Sequence, residues 1–243
     1  MSDYICGRNA VMEILKTDKE IDKIFIQKGD LKGSIHPIIA KARDKGIIIT
    51  EVDKRKLDDI SENNPHQGVA ALVSSYRFYD VEDILNYARS KNDTVKIIIL
   101  DEIEDPHNMG AIIRTAEAAG FHGIIIPKRR SAGITQTVHK ASAGATAHIK
   151  ISRVTNIAQT ISKLKEENIW VYGADGSSET LYTEADLKGN ICLVIGNEGK
   201  GLSHLVKKRC DMLIKLPMNG KVESLNASNA AAILIYEVLR QNA

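Results

Sequence analysis

Runs of consecutive apolar residues constrain the fold class of this chain most tightly. Lys96-Ile-Ile-Ile-Leu100 and Ile191-Cys-Leu-Val-Ile-Gly196 show no polar alternation. A strand built from either run must be covered on both faces, as in a parallel sheet flanked by helices. Strands are expected at Val95–Leu100, Gly123–Pro127, His148–Ile151, Ile169–Ala174, Ile191–Ile195 and Met212–Leu216. Helical spacing fills the intervals at Asn108–Ala119, Thr135–Ala143, Asn156–Glu167, a short piece after Gly201, and Ala227–Arg240. Residues 94–243 therefore read as one α/β domain.

A smaller α/β pattern precedes it in residues 1–75. Helices are expected at Arg8–Thr17, Ile35–Lys45 (closed by Gly46) and Lys54–Ile60, and strands at Asp22–Gln27, Ile47–Val52 and Gly68–Ser74. Residues 76–93 are polar around a weak helix at Val81–Ala88 and end in Ser90-Lys-Asn-Asp93, which reads as a linker.

Composition excludes several classes. Hydrophobic residues make up 43% of the 243 positions and charged residues 26%, which is ordinary for a globular protein. No apolar run is long enough to span a membrane. The first residues, MSDYICGRNAVMEILKT, lack the basic start and apolar stretch of a signal peptide. Cys6, Cys192 and Cys210 are odd in number and show no metal-ligand spacing, so reduced thiols in a cytoplasmic protein are expected.

The net charge of +2 is unevenly spread. Ala118–Lys165 holds no acid but eight Lys or Arg residues, leaving 25 basic and 31 acidic residues elsewhere. Those eight include Lys128, Arg129, Arg130 and Lys140, and His122, His139 and His148 lie in the same stretch. Such a one-sign stretch fits a polyanion; the alternative is a solvated surface that happens to lack acids.

Three blocks could carry chemistry. Asp101–Gly120 leaves a buried strand and opens a helix, where open α/β sheets bind ligands. Asn108 is placed to cap that helix, and Arg114 falls away from its apolar face. Ile191–Ser203 runs from a strand into a loop with Gly196, Gly199, Gly201 and the carboxylate Glu198, matching neither the P-loop nor the dinucleotide fingerprint. Leu216–Gln241 places Ser224 and Asn226 where the last helix begins. That helix is apolar or small almost all round, so it is either a core helix or a dimer interface.

In order and spacing, the runs PHNMGAIIRTAEAAG, LVIGNEGKGLS and LPMNGKVESLNASNAAAILIYE closely resemble the three motifs of the SpoU/TrmH family, SPOUT-class RNA 2′-O-ribose methyltransferases. One minor departure is Ala227, where Val is more usual. The segment from GRNAVMEIL onward resembles these enzymes' small substrate-binding domain, similar to the ribosomal protein L30e fold. The resemblance implies a SPOUT-type parallel-sheet domain with a C-terminal trefoil knot, preceded by an L30e-like domain. It implies S-adenosylmethionine as donor, no metal, and a homodimer with the site at its interface. Gly196, Leu216 and Leu225 would supply backbone contacts to the donor, with Ala174, Glu198, Met218 and Asn226 nearby.

The resemblance also assigns Arg114 to activation of the 2′-hydroxyl, assisted by a substrate phosphate. A guanidinium base conflicts with its very high pKa, so stabilisation of the developing alkoxide is the expected role. Asn108 would orient Arg114 or the ribose, and Glu198, Ser224 and Asn226 would complete the pocket. Lys128, Arg129, Arg130 and Lys140 would grip the RNA backbone. The pairing of domains is most like that of members acting on a guanosine of 23S rRNA. A tRNA guanosine 2′-O-methyltransferase and a non-catalytic rRNA-binding or assembly factor are the alternatives.

Overall fold

The computed structural model describes residues 4–17, 19–29, 33–73 and 76–243. Two compact units divide the chain: Met1–Arg77 with Gly133–Thr135, and Phe78–Ala132 with Gln136–Ala243.

In the first unit, β1 (Tyr4–Cys6), α1 (Arg8–Ile14), β2 (Ile21–Gln27), α2 (Ile35–Asp44), β3 (Ile48–Val52), α3 (Lys54–Ile60) and β4 (Val69–Val73) follow one another. The sheet order is β1-β4-β2-β3, with β2 and β3 parallel and the other pairs antiparallel. Helices cover both faces. Val11 and Leu15 near α1, with Ile35 and Ile38 of α2, pack on Ile24, Ile26 and Val69. On the opposite face, Leu57 and Ile60 of α3 meet Ala70 and Phe25. The expected alternation of elements is present; Ser74, the end of the expected last strand, lies outside the described residues.

The second unit is a six-stranded, all-parallel sheet. Its elements are α4 (Val81–Ser90), β5 (Lys96–Asp101), α5 (Pro106–Ala118), β6 (Gly123–Pro127), α6 (Gln136–Ala141), β7 (Lys150–Val154), α7 (Ile157–Glu166), β8 (Trp170–Ala174), β9 (Ile191–Gly196), α8 (His204–Arg209), β10 (Met212–Ile214) and α9 (Ala227–Gln241). Strand order is β10-β8-β9-β5-β6-β7. The apolar runs occupy the centre: every residue of β5 is buried, and so are the first five of β9. Residues of α4, α7 and α8 pack on one face against Ile97, Ile99, Val171, Cys192 and Val194. On the other, α9 packs on β9 and α5, and α5 packs on α6. Because all strands are parallel, their carboxyl ends share one edge, and that edge carries the candidate site.

Residues 76–93 do not behave as a tether. Ile84, Leu85 and Ala88 of α4 are buried in the core of the second unit. A Cβ at Gly123 would stand 2.6 Å from the Ile84 side chain, so α4 lies directly on β6. Tyr79 bridges Ser152 of β7, its N–H donating to the Ile151 carbonyl at 2.9 Å. The second unit thus begins at Phe78, ahead of the expected Thr94. No helix among the described residues is long and apolar enough to cross a membrane.

Candidate active site

Two loops and the start of α9 close around the carboxyl ends of β8, β9 and β10. The loop after β9 is a tight reversal: Asn197 and Gly201 exchange backbone hydrogen bonds of 3.2 and 2.8 Å. A Cβ at Gly196 would stand 2.4 Å from the Gly201 carbonyl carbon, so the turn requires glycine there. The Asn197 side chain fixes the loop, its Oδ1 accepting from the Gly199 and Lys200 N–H groups (3.0 and 3.2 Å) and its Nδ2 donating to the Glu102 carbonyl (3.1 Å). The Ser203 N–H donates to buried Asp101 at 2.7 Å. Blocks far apart in the chain are thereby tied at one edge of the sheet.

The cavity they enclose measures about 510 Å³, within the range of small-molecule sites. Ala174, Gly196, Leu216, Met218 and Leu225, all expected at a donor, line it, as do Glu198 and Ser224. Its apolar surface is completed by Ile195, Ile214 and Leu234. Three carboxylates, Asp175, Glu198 and Glu223, and three lysines, Lys200, Lys207 and Lys215, also reach it. Apolar walls with charges of both signs fit a ligand that joins a flat nucleoside to a zwitterionic, cationic tail.

Asn226 is expected at the cofactor but lies beside the lining residues. It caps α9, its Oδ1 accepting from the Ser228 and Asn229 N–H groups at 2.9 and 3.4 Å. Its Nδ2 donates to Asn108 Oδ1 at 3.0 Å, and Asn108 Nδ2 donates in turn to Glu198. One residue from each sequence block thus forms a continuous hydrogen-bonded chain, which leads into the cavity at Glu198. Asn108 is not the cap of α5, however. Asp105 takes that place, accepting from the His107 and Asn108 N–H groups at 3.3 and 3.1 Å. Pro106 behind it sits at the first helical position, which suits proline, so the Asp-Pro pair was the sequence signal for this cap. Release from capping frees the Asn108 amide to join the other blocks.

Arg114 is exposed on α5, on one stripe with His107 and Ala118, and does not line the cavity. Ser224 and Leu225 belong to residues 217–226, an exposed segment without helix or strand.

Sequence reasoning missed Asp175 and Lys207. Asp175 immediately follows β8, and that position at a carboxyl end was the available signal. It accepts from the Ser177 N–H and hydroxyl (2.9 and 2.6 Å) and pairs with Lys207 at 3.0 Å. Burial works to raise its pKa, but the Ser177 and Lys207 hydrogen bonds outweigh it and hold the carboxyl below its ordinary value.

The acid-free stretch is not one open surface. Lys128, Arg129, Arg130 and Lys140 are all exposed, and the first three follow the carboxyl end of β6. Arg130 pairs with Glu102 at 2.8 Å. Lys150 lies over the Tyr79 ring at 4.0 Å, Arg153 over Phe78 at 4.3 Å, and Lys165 pairs with Asp211 at 2.6 Å. Burial pushes the His122 pKa down, so this histidine adds no charge near neutrality.

Comparison with known proteins identifies the family. The model of the SpoU rRNA Methylase family matches residues 96–236, and that for RNA 2′-O ribose methyltransferase substrate binding matches residues 4–79. A Bacillus subtilis (strain 168) protein, YacO, assigned to the TrmH family of tRNA/rRNA methyltransferases, is 49% identical over 239 residues, covering 98% of this chain and 96% of its own. The SpoU methyltransferase AviRb from Streptomyces viridochromogenes, solved in complex with the cofactor AdoMet, shares the fold. Its TM-score is 0.61 at 23% identity, over 98% of this chain and 89% of its own. The TrmH/SpoU tRNA modifying enzyme of A. aeolicus aligns with 66% of this chain and 82% of its own, at a TM-score of 0.57 and 27% identity. The chain belongs to the SpoU/TrmH family of RNA methyltransferases, with a substrate-binding unit ahead of its methyltransferase unit.

Proposed function

We propose that the chain uses S-adenosylmethionine to methylate a ribose 2′-hydroxyl, on a guanosine of 23S rRNA, in the cytoplasm. The observation that carries this reading is the cavity into which Gly196, Leu216 and Leu225 converge, joined through Glu198 to the Asn108–Asn226 pair. Ile195, Ile214 and Leu234 would hold the adenine, and the carboxylates would face the cationic part of the donor. The donor supplies an activated sulfonium methyl, so the chain must place the hydroxyl and manage its proton.

Asn108 and Glu198 fix the geometry of the site. Arg114 stabilises the developing alkoxide, and the proton leaves through a substrate phosphate or water. Since Arg114 stands outside the cavity of a single chain, a second copy completes the site in a homodimer. Threading of residues 197–226 as a trefoil knot belongs to the same proposal. Lys128, Arg129 and Lys140, with Arg130 beside Glu102, hold the RNA backbone.

Incubation with tritiated donor and either 23S rRNA or bulk tRNA, each from a strain lacking the gene, tests the reading. Label is expected in 23S rRNA. Label in tRNA alone overturns the substrate, and label in neither overturns the enzymatic role.

A further inference from the structure

At the carboxyl end of β8, the donor cavity holds two side chains that the transfer step leaves unused. Asp175 and Lys207 both line it, and they meet at 3.0 Å. Lys207 comes from α8, which packs on the sheet face opposite α5 and α9. The pair therefore enters from the far side of the sheet relative to Asn108 and Asn226, which belong to α5 and the start of α9.

The pair is held firmly. The Asp175 N–H donates to the Ile214 carbonyl of β10 at 2.9 Å, which ties its backbone to the sheet. Its Oδ1 accepts from the Ser177 N–H and hydroxyl at 2.9 and 2.6 Å, and Lys207 Nζ donates to the Ser177 hydroxyl oxygen at 2.6 Å. Burial opposes ionisation of Asp175, but the Ser177 and Lys207 hydrogen bonds outweigh it, so near neutrality the carboxylate only accepts. Among the described residues, Lys207 spends two of its three ammonium donors, on Asp175 and Ser177, and Asp175 Oδ2 receives Lys207 alone. One donor and one acceptor position are left on neighbouring atoms.

Charge narrows the group that fits them. Asp175 and Lys207 neutralise each other, so the pair has no net charge to offer a carboxylate, an ammonium or a sulfonium. Among the described residues, Asp175 is the cavity carboxylate that a lysine already balances, which leaves Glu198 and Glu223 to the cationic part of the donor. A neutral couple of this kind suits a neutral group that also donates and accepts on adjacent atoms. A ribose cis-diol is such a group, and an acidic side chain is a recurrent partner of ribose hydroxyls in open α/β sheets. We propose that Asp175 and Lys207 together bind the 2′,3′-diol of the donor's own ribose, Asp175 accepting from one hydroxyl and Lys207 donating to the other. The proposal rests on the donor reading above. The Asp175 side chain is 13% exposed, so a ligand lacking a hydroxyl leaves a shielded polar position unmet.

Isothermal titration calorimetry of the full chain, with S-adenosylhomocysteine and its 2′-deoxy and 3′-deoxy analogues, tests the assignment. The wild type should bind each analogue roughly tenfold more weakly than the parent. Lys207→Met keeps the stem and removes the donors, and Asp175→Asn keeps the shape and removes the charge. Each variant should bind the parent roughly tenfold more weakly and lose most of the discrimination against one of the two analogues. A pair that merely braces α8 predicts an equal loss for all three ligands, and that result overturns the proposal. Wild-type affinity and discrimination in both variants overturn it as well. So does equal affinity of the wild type for all three ligands, whether or not the variants fold. Failure of the wild type to bind S-adenosylhomocysteine at all sinks the donor reading itself, whereas binding without discrimination sinks the diol pair alone.

Discussion

At the scale of single residues, Asn226 does two jobs that can be separated. Its Oδ1 caps α9 and its Nδ2 donates to Asn108. Asn226→Ala should cost about 1 kcal/mol of stability and also depress methyl transfer. Asn226→Asp keeps the capping oxygen but loses the donor and brings a second negative charge towards Glu198. It should match the wild type in denaturant titration and still be impaired in transfer; full activity in this variant would show that the Asn108 contact is dispensable. Arg114 permits a test by sign. In Arg114→Lys, an alkoxide-stabilising cation is lost as pH rises through the lysine pKa, about 10.4, so transfer should fall there. A general base would make transfer rise over the same range. A pH–rate profile of this variant discriminates the two.

At the scale of elements, the chain's pattern was readable where one residue type dominated. The apolar runs of β5 and β9 mark strands buried on both faces, and they lie at the centre of the sheet. Helix α4 was harder to place because Glu82, Asp83, Asn86 and Arg89 surround its apolar stripe. Val81, Ile84, Leu85 and Ala88 nonetheless repeat at helical spacing, and three of the four are buried. Ile84→Ala should therefore cost about 2–5 kcal/mol, measured by denaturant unfolding, whereas a loss near zero would restore the linker reading. Strand order was not legible, because placing β8 between β9 and β10 depends on pairings distant in sequence. The chain from Asn226 through Asn108 to Glu198 was equally hidden: each residue stood out in its own block, and only folding joins them. The last helix departs from an all-round apolar cylinder. Glu237 is buried at 7% exposure and paired with Arg240, while Ile233 and Tyr236 face outward.

At the scale of the whole molecule, that outward face bears on the assembly. Of nine exposed large hydrophobic residues among those described, five fall within 218–236: Met218, Val222, Leu225, Ile233 and Tyr236. Apolar surface gathered beside a cavity is a candidate interface, and Arg114 lies outside the cavity of its own chain. If a second copy covers this face, Tyr236→Asp should sediment as a folded monomer and lose methyl transfer. Mixed dimers go further, because they reveal which chain supplies the arginine. Arg114→Ala and Glu198→Ala should each be inactive alone. If Arg114 serves the cavity of the partner subunit, a hybrid of the two holds one intact site, since Glu198 from one chain meets Arg114 from the other. Random reassociation makes half of the dimers hybrid, so the mixture should recover roughly a quarter of wild-type transfer. Recovery depends on exchange of subunits, which co-sedimentation of differently tagged chains establishes. Hybrids that form but stay inactive would place Arg114 at the cavity of its own chain and leave the interface with a structural role only.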